Sequence, residues 1–199
     1  MFRHRKILQS ALITGLAVAS LSPTFSFAQT QPLNQRETAV APETNPPGDI
    51  PDNQAFITYT SPSGFSMQVP EGWSRSDTPD GVTFIDKYGE VDIAIVTADT
   101  APTPEGVKAK QVADMIATGH AVDVTGIRTM PLPAGDALAV DYTSNSALNP
   151  VTNRQIRLEN RRFYVFHSGQ EAVVTMSAPA GADNVDAWKM MADTFRWPS

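Results

Sequence analysis

Apolar and polar residues alternate most regularly in the run Gly64–Trp73, GFSMQVPEGW. Phe65, Met67 and Val69 alternate with Ser66 and Gln68, the period of a strand with one buried face. Pro70 ends that strand because it cannot donate to a ladder. Gly72 lets the chain turn, and Trp73 returns a large apolar surface toward the sheet.

The same reading along the chain predicts further strands at Phe56–Thr60, Val82–Asp86, Val91–Ala98, Val122–Met130, Ala137–Asn145, Arg154–His167 and Glu171–Ala178. Turns are expected at Pro62-Ser63-Gly64, Asp77–Gly81, Lys87–Glu90 and Ser168-Gly169, and a longer loop at Asn149-Pro150. Val91–Ala98 has apolar residues at both parities toward its end, which predicts cover on both faces there. In Arg154–His167 neither parity is cleanly apolar, so a bulge or exposed section is expected near Glu159–Arg162, with a hairpin as the alternative.

Two helices complete the pattern. Thr103 is a suitable N-cap, Pro104 suits the first helical position, and Glu105 complements the positive helix end. Ala109, Val112, Ala113 and Ile116 then form one stripe, and Gly119 ends it. A last helix starts near Asp183 and buries Val185, Trp188, Ala192 and Phe195. Sequential strands with one helix in the middle and one at the end predict an α+β fold, an antiparallel β-sheet sandwiched by helices. No internal repeat is found.

The N-terminal segment has a different character. Arg3, Arg5 and Lys6 precede a mostly apolar run, Ile7–Leu21, and Ser26-Phe27-Ala28 offers small residues for cleavage. Residues 1–28 therefore read as a signal peptide, with an exported product in the periplasm or outside the cell. The run is short for a bilayer span, so no stable membrane insertion is expected after cleavage. Residues 29–54 hold Pro32, Pro42, Pro46, Pro47 and Pro51 among polar residues, and read as a disordered Pro-rich linker. The globular domain is then expected over 55–199.

Charge and composition narrow the function. The formal net charge is −6, and three of the 15 basic residues lie in the first 28, where there is no acid. The remainder thus stands near −9, which argues against nucleic-acid binding through phosphate neutralisation. The absence of Cys excludes disulfides, thiolate metal sites and lipid attachment at Cys.

Catalytic constellations are sparse. Beyond the signal only His120 and His167 could serve as a base, and there is no G-x-S-x-G elbow. No HExxH pair, calcium loop or Gly-rich phosphate loop occurs, so no metal or cofactor is expected. Asp77, Asp80, Asp86 and Glu90 read as turn residues. Tyr59, Trp73, Phe84 and Tyr88 read as core before they read as a pocket. One local feature runs against the acidic background: Arg154, Arg157, Arg161 and Arg162. Arg157 and Arg161 share a parity and are the candidate contacts to an acidic partner or a carboxylate or phosphate ligand; the alternative is a charged strand edge paired with Glu159.

Tyr59, Gly64-Phe65-Ser66 and Val69-Pro70-Glu71-Gly72-Trp73, followed far downstream by a strand pair and Thr194-Phe195-Arg196, resemble the PsbP-like superfamily over about residues 55–197. That group includes the extrinsic oxygen-evolution subunit of photosystem II, a Ran-binding nuclear import factor and exported bacterial proteins. The resemblance implies a sheet sandwiched between helices and a non-enzymatic binding or accessory module, with no catalytic residues to carry over. A protein partner or small ligand is expected. The competing readings are an envelope hydrolase using His120 or His167, and a small hydrophobic-ligand carrier.

Overall fold

The computed structural model describes residues 37–198. The expected signal peptide and the first part of the expected linker lie outside them. Nine strands and two helices follow in chain order. Strands β1 (Phe56–Thr60) and β2 (Ser66–Pro70) form an antiparallel hairpin. Strands β3 (Ser74–Thr78), β4 (Gly81–Ile85) and β5 (Glu90–Thr97) form a meander. Helix α1 spans residues 104–118. A second meander follows: β6 (Asp123–Leu132), β7 (Gly135–Asn145), β8 (Arg157–His167) and β9 (Gln170–Pro179). Helix α2 is Val185–Thr194. The pairing of β5 with β9 joins the meanders into one antiparallel sheet, ordered β3-β4-β5-β9-β8-β7-β6.

Strand periodicity sends alternate side chains to two cores. On one face Ala139, Phe163, Val165, Val174 and Met176 pack with α2 and the β1–β2 hairpin. On the other Leu138, Val140, Tyr142 and Tyr164 pack under α1. The fold is therefore the expected α+β sandwich. The two ends of the domain meet in the first core. Phe65 stacks on Phe195 at 5.8 Å, Ser66 and Arg196 exchange both backbone hydrogen bonds, and Gln68 N–H donates to Thr194 Oγ1 at 3.0 Å.

Several local expectations change. Strand β3 was expected only as chain leading into a turn; all five of its residues are exposed, so no alternation marks it. The register of β8 runs unbroken against β7 and β9, and the irregularity lies in β6, between Val124 and Gly126. The end of β5 is more open than its start, with Val96 43% exposed. Thr103 caps α1 as expected, accepting from Gly106 N–H. Within α1, however, Lys108–Val112 is a π-helical turn. That turn adds a residue to the repeat, so the buried stripe is Val107, Val112 and Met115, while Ala109 and Ala113 face water. In α2 the stripe is Trp188, Met191 and Ala192, with Phe195 buried just past its end, and Val185 is exposed.

The largest difference concerns residues 37–54, read from composition as part of a disordered linker. Here the chain is a strap held by two buried amides. Asn145 donates through Nδ2 to Glu37 Oε1 and Thr38 O, both at 2.9 Å, and accepts from Val40 N–H. Asn184 donates to Gly48 O at 2.9 Å and accepts from Ile50 N–H at 2.6 Å. Both asparagines are 3% exposed, so the strap's peptide groups satisfy side chains that water does not reach. Ile50 also packs against the first core.

Asn184→Ala removes one buried partner pair and is expected to destabilise by about 1–3 kcal/mol. Thermolysin should then cut near Ile50 well before the domain unfolds, whereas the unmodified strap should resist. Equal cleavage in both proteins would show that the strap is not anchored there.

Candidate functional site

Beyond Ala139 and Phe163 the α2-side face of the sheet turns polar. Register sets Asp141 opposite Arg161, Thr143 opposite Glu159 and Asn145 opposite Arg157. Their odd parity places all six on one face, including the two arginines named from the sequence. Arg154 is exposed in the loop before β8. Arg162 falls on the opposite face, where its guanidinium lies over the Tyr142 ring at 5.9 Å and donates to Thr175 Oγ1 at 2.8 Å.

Arg157 and Arg161 are engaged differently. Arg157 is 7% exposed. Its guanidinium donates to Ala121 O at 2.8 Å, Asn145 Oδ1 at 3.1 Å and Thr143 Oγ1 at 2.5 Å. These partners are neutral, so Arg157 works inward, fixing the Asn145 amide that holds the strap. Arg161 lines an open cleft of about 260 Å³, with Asp141, Thr143 and Glu159 on the sheet and Asn184 and Trp188 beside it. Its Nε donates to Asp141 Oδ1 at 2.7 Å. Arg128 pairs with the other oxygen of the same carboxylate. Among the described residues the terminal nitrogens of Arg161 have no hydrogen-bond partner. Burial pulls the pKa of both guanidiniums down, and for Arg128 the nearby Arg161 adds to it. Two cations thus share one carboxylate, and Glu159 in the same cleft favours the charged form of Arg161 against burial.

The histidines stand apart from this cleft. His120 Nδ1 lies 2.7 Å from Glu37 Oε2. Burial opposes ionisation of Glu37, but hydrogen bonds from Asn145 and His120 hold its carboxyl below the usual value. No hydroxyl joins that pair, and its imidazole is half exposed. His167 stacks on Trp197 at 5.7 Å. Neither histidine lines the cleft of Arg161. No group of three acidic or histidine side chains suited to a metal occurs among the described residues. Asp86 serves a turn, accepting from the Tyr88 and Gly89 amides.

A second groove, about 380 Å³, gathers Tyr59, Trp73 and Phe84 with Ile57 and Arg75 beside β3. Tyr88 is outside it. The interior expected of a hydrophobe carrier is instead filled: Met67, Val69, Met176 and Met191 are fully buried between sheet and α2. No helix among the described residues is long and apolar enough to cross a membrane.

The sequence did not point to Asp141, Arg128 or Asn145. Asp141 stands at the parity of Ala137 and Ala139, so the alternation of β7 places a charge on a core-facing position, and that was the available signal.

No protein-family profile matches the chain, and no curated protein matches it. Solved structures with similar chain traces include PsbP from the cyanobacterium Synechocystis sp. PCC 6803, with a TM-score of 0.48 and 13% identity over 75% of this chain and 97% of that one. A protein of unknown function from Pseudomonas aeruginosa gives 0.45 and 12%, over 70% and 94%. LpqN, involved in cell envelope biogenesis of Mycobacterium tuberculosis, gives 0.41 and 11%, over 73% and 91%. At these scores the matches bear on neither activity nor partner.

One titration follows from the opposite face. Glu171 is 6% exposed, and burial pushes its carboxyl up, with Lys110 opposing. It keeps its proton to higher pH in the folded chain than in the unfolded one, so stability falls as pH rises from the ordinary carboxylate range through the raised value. Glu90, raised by burial and by Asp92, acts in the same direction. Glu171→Gln should therefore melt a few degrees higher than the parent at pH 7 and together with it near pH 4. A difference in Tm independent of pH would refute this origin.

Proposed function

We propose that the domain is an exported, non-enzymatic binding module whose ligand site is the cleft beside α2. It takes a small ligand bearing a carboxylate. The observation that carries this reading is Arg161: a half-buried guanidinium whose terminal donors are unengaged, beside a carboxylate already shared with Arg128. A carboxylate arriving there completes a bidentate pair in surroundings that exclude much of the water, where such bonds are strongest. Trp188 offers an apolar wall for the remainder of the ligand, and Thr143 offers a polar contact at the side. The cleft volume suits a metabolite-sized molecule rather than a protein loop.

The binding reading is favoured over hydrolysis because the chemistry needed for acyl transfer is dispersed. A nucleophile, a base and an orienting acid must converge on one concave site. His120 and Glu37 supply two of these on an exposed surface, with no hydroxyl aligned. Export is supported by the charged start and apolar run within the first 28 residues.

The test is calorimetric and thermal titration with short dicarboxylates, glutarate first, against the protein and Arg161→Gln. At about ten times Kd a ligand stabilises by about 1.4 kcal/mol, a rise in Tm of roughly 3–6 °C for a domain of this size. The parent should show that rise and the variant should not. A rise of equal size in Arg161→Gln, or no binding by the parent to any dicarboxylate of the series, overturns the assignment.

A further inference from the structure

The outer strand β3 is an uncovered sheet edge with no proline, lysine or bulge to block pairing. It terminates the seven-stranded sheet, it is exposed along all five residues, and its register with β4 is unbroken. Edges are ordinarily blunted by proline, lysine, bulges or covering segments. Strand β6 at the opposite edge shows two of these, a bulge after Val124 and Pro131 within the strand. The sequence of β3, Ser74-Arg75-Ser76-Asp77-Thr78, has no proline, lysine or bulge, and its only charges are one cation and one anion of opposite sign.

The direction of its backbone groups is set by the turn. Thr78 and Gly81 are the last register pair, closing the β3–β4 hairpin over two residues, Pro79 and Asp80. The closing pair of such a hairpin is hydrogen-bonded, and bonded pairs recur at every second residue. Ser74, Ser76 and Thr78 therefore bond to β4, while Arg75 and Asp77 turn their N–H and C=O groups outward. Among the described residues those groups have no backbone partner.

We propose that β3 is the contact through which two copies of this chain pair edge to edge about a two-fold axis at Ser76. Laid antiparallel on itself, the strand brings Arg75 opposite Asp77 of the second copy, and the reverse. These are also the residues with outward backbone groups, so charge pairing and backbone bonding select the same register. A shift by one residue sets outward groups against inward ones. A shift by two sets Arg75 against Arg75 or Asp77 against Asp77, which is unfavourable for directly opposed strand residues. The single cation and single anion are thus arranged symmetrically about Ser76, as an isologous contact requires.

The monomer already orients these side chains. Arg75 and Asp77 lie 3.1 Å apart, each about half exposed, and both meet Tyr59: Arg75 lies over its ring at 5.6 Å and Asp77 accepts from its hydroxyl at 3.4 Å. An exposed pair of this kind contributes little by itself. Across the two-fold axis it becomes a ring of four alternating charges. Five paired residues make a small interface, so the association is a concentration-dependent equilibrium rather than a permanent dimer.

Sedimentation velocity over a wide concentration range, on the purified full chain, tests this with a charge exchange. The parent should show a monomer–dimer equilibrium. Arg75→Asp and Asp77→Arg each place like charges opposite one another twice, and should weaken dimerisation by about tenfold or more. The double exchange, Arg75→Asp with Asp77→Arg, restores opposite charges in the same register and should return the Kd to within a few-fold of the parent. Unchanged circular dichroism would confirm that these exposed variants fold. A parent that is monomeric at every concentration overturns the proposal, including one that instead captures an extended peptide. So does a double exchange no better than either single one.

Discussion

A sheet with two buried faces is the constraint on which the architecture depends. Each strand of the β5-β9-β8-β7 centre must supply apolar side chains at both parities, and β8 shows the result most plainly. Phe163 and Val165 enter the core under α2, while Tyr164 between them enters the core under α1. Neither helix could be stable alone at its length; each is held by the stripe it presents to the sheet. The hairpin of β1 and β2 fills the part of one face that α2 leaves open. The contacts among Phe65, Phe195, Ser66 and Arg196 then join the first and last parts of the domain, so the sequence signature at each end is one half of a single packing unit.

The polar site is a consequence of where that supply stops. In β7 the alternation is apolar through Val140 and then yields Asp141, Thr143 and Asn145 at the α2-side parity. In β8 the same parity holds Arg157, Glu159 and Arg161 before Phe163. A buried polar group must find a partner or cost more than it contributes. The chain meets that demand in three ways: Asp141 shared by two guanidiniums, the Arg157 guanidinium on neutral oxygens, and a strap whose peptide groups satisfy Asn145 and Asn184. What is left incompletely satisfied is the terminal part of Arg161, where the cleft opens.

The sequence was most legible where one local rule decided the outcome. GFSMQVP alternates because one face of β2 is buried, and Thr103-Pro104-Glu105 starts a helix by capping alone. It was least legible where a distant residue decided. Residues 37–54 have the composition of a disordered tether, and nothing local reveals that Asn145 and Asn184, more than 100 positions away, accept and donate to its backbone. Strand β3 hid for the opposite reason: with both faces in water it has no pattern to read, and only pairing with β4 makes it a strand. In α1 the π-helical turn at Lys108–Val112 spaces Val107 and Val112 five residues apart on the buried side and leaves Ala109 and Ala113 in water, which a fixed 3.6 period cannot anticipate. For the site, parity correctly grouped Arg157 with Arg161 but could not distinguish them. That distinction depends on Asn145, Thr143 and the Ala121 carbonyl, which come to Arg157 through the β7–β8 register and the turn before β6.

These features bear on where recognition can occur in such a fold. Both cores are filled, by Met67, Phe163 and Met191 on one face and Val140 and Tyr164 on the other, all at negligible exposure, so a ligand cannot enter between the layers without displacing close-packed atoms. Recognition is confined to the margins: the polar end of the sheet, where apolar supply stops, and the outer strands, where pairing stops. The two margins differ in kind. At the polar end, specificity comes from side chains fixed by burial, and it suits small charged molecules. At the β3 edge it comes from unpaired backbone, which suits another strand. Because β3 contributes almost nothing to either core, its sequence can be set by the contact it makes, and its charge order is the part of this chain least explained by the demands of folding.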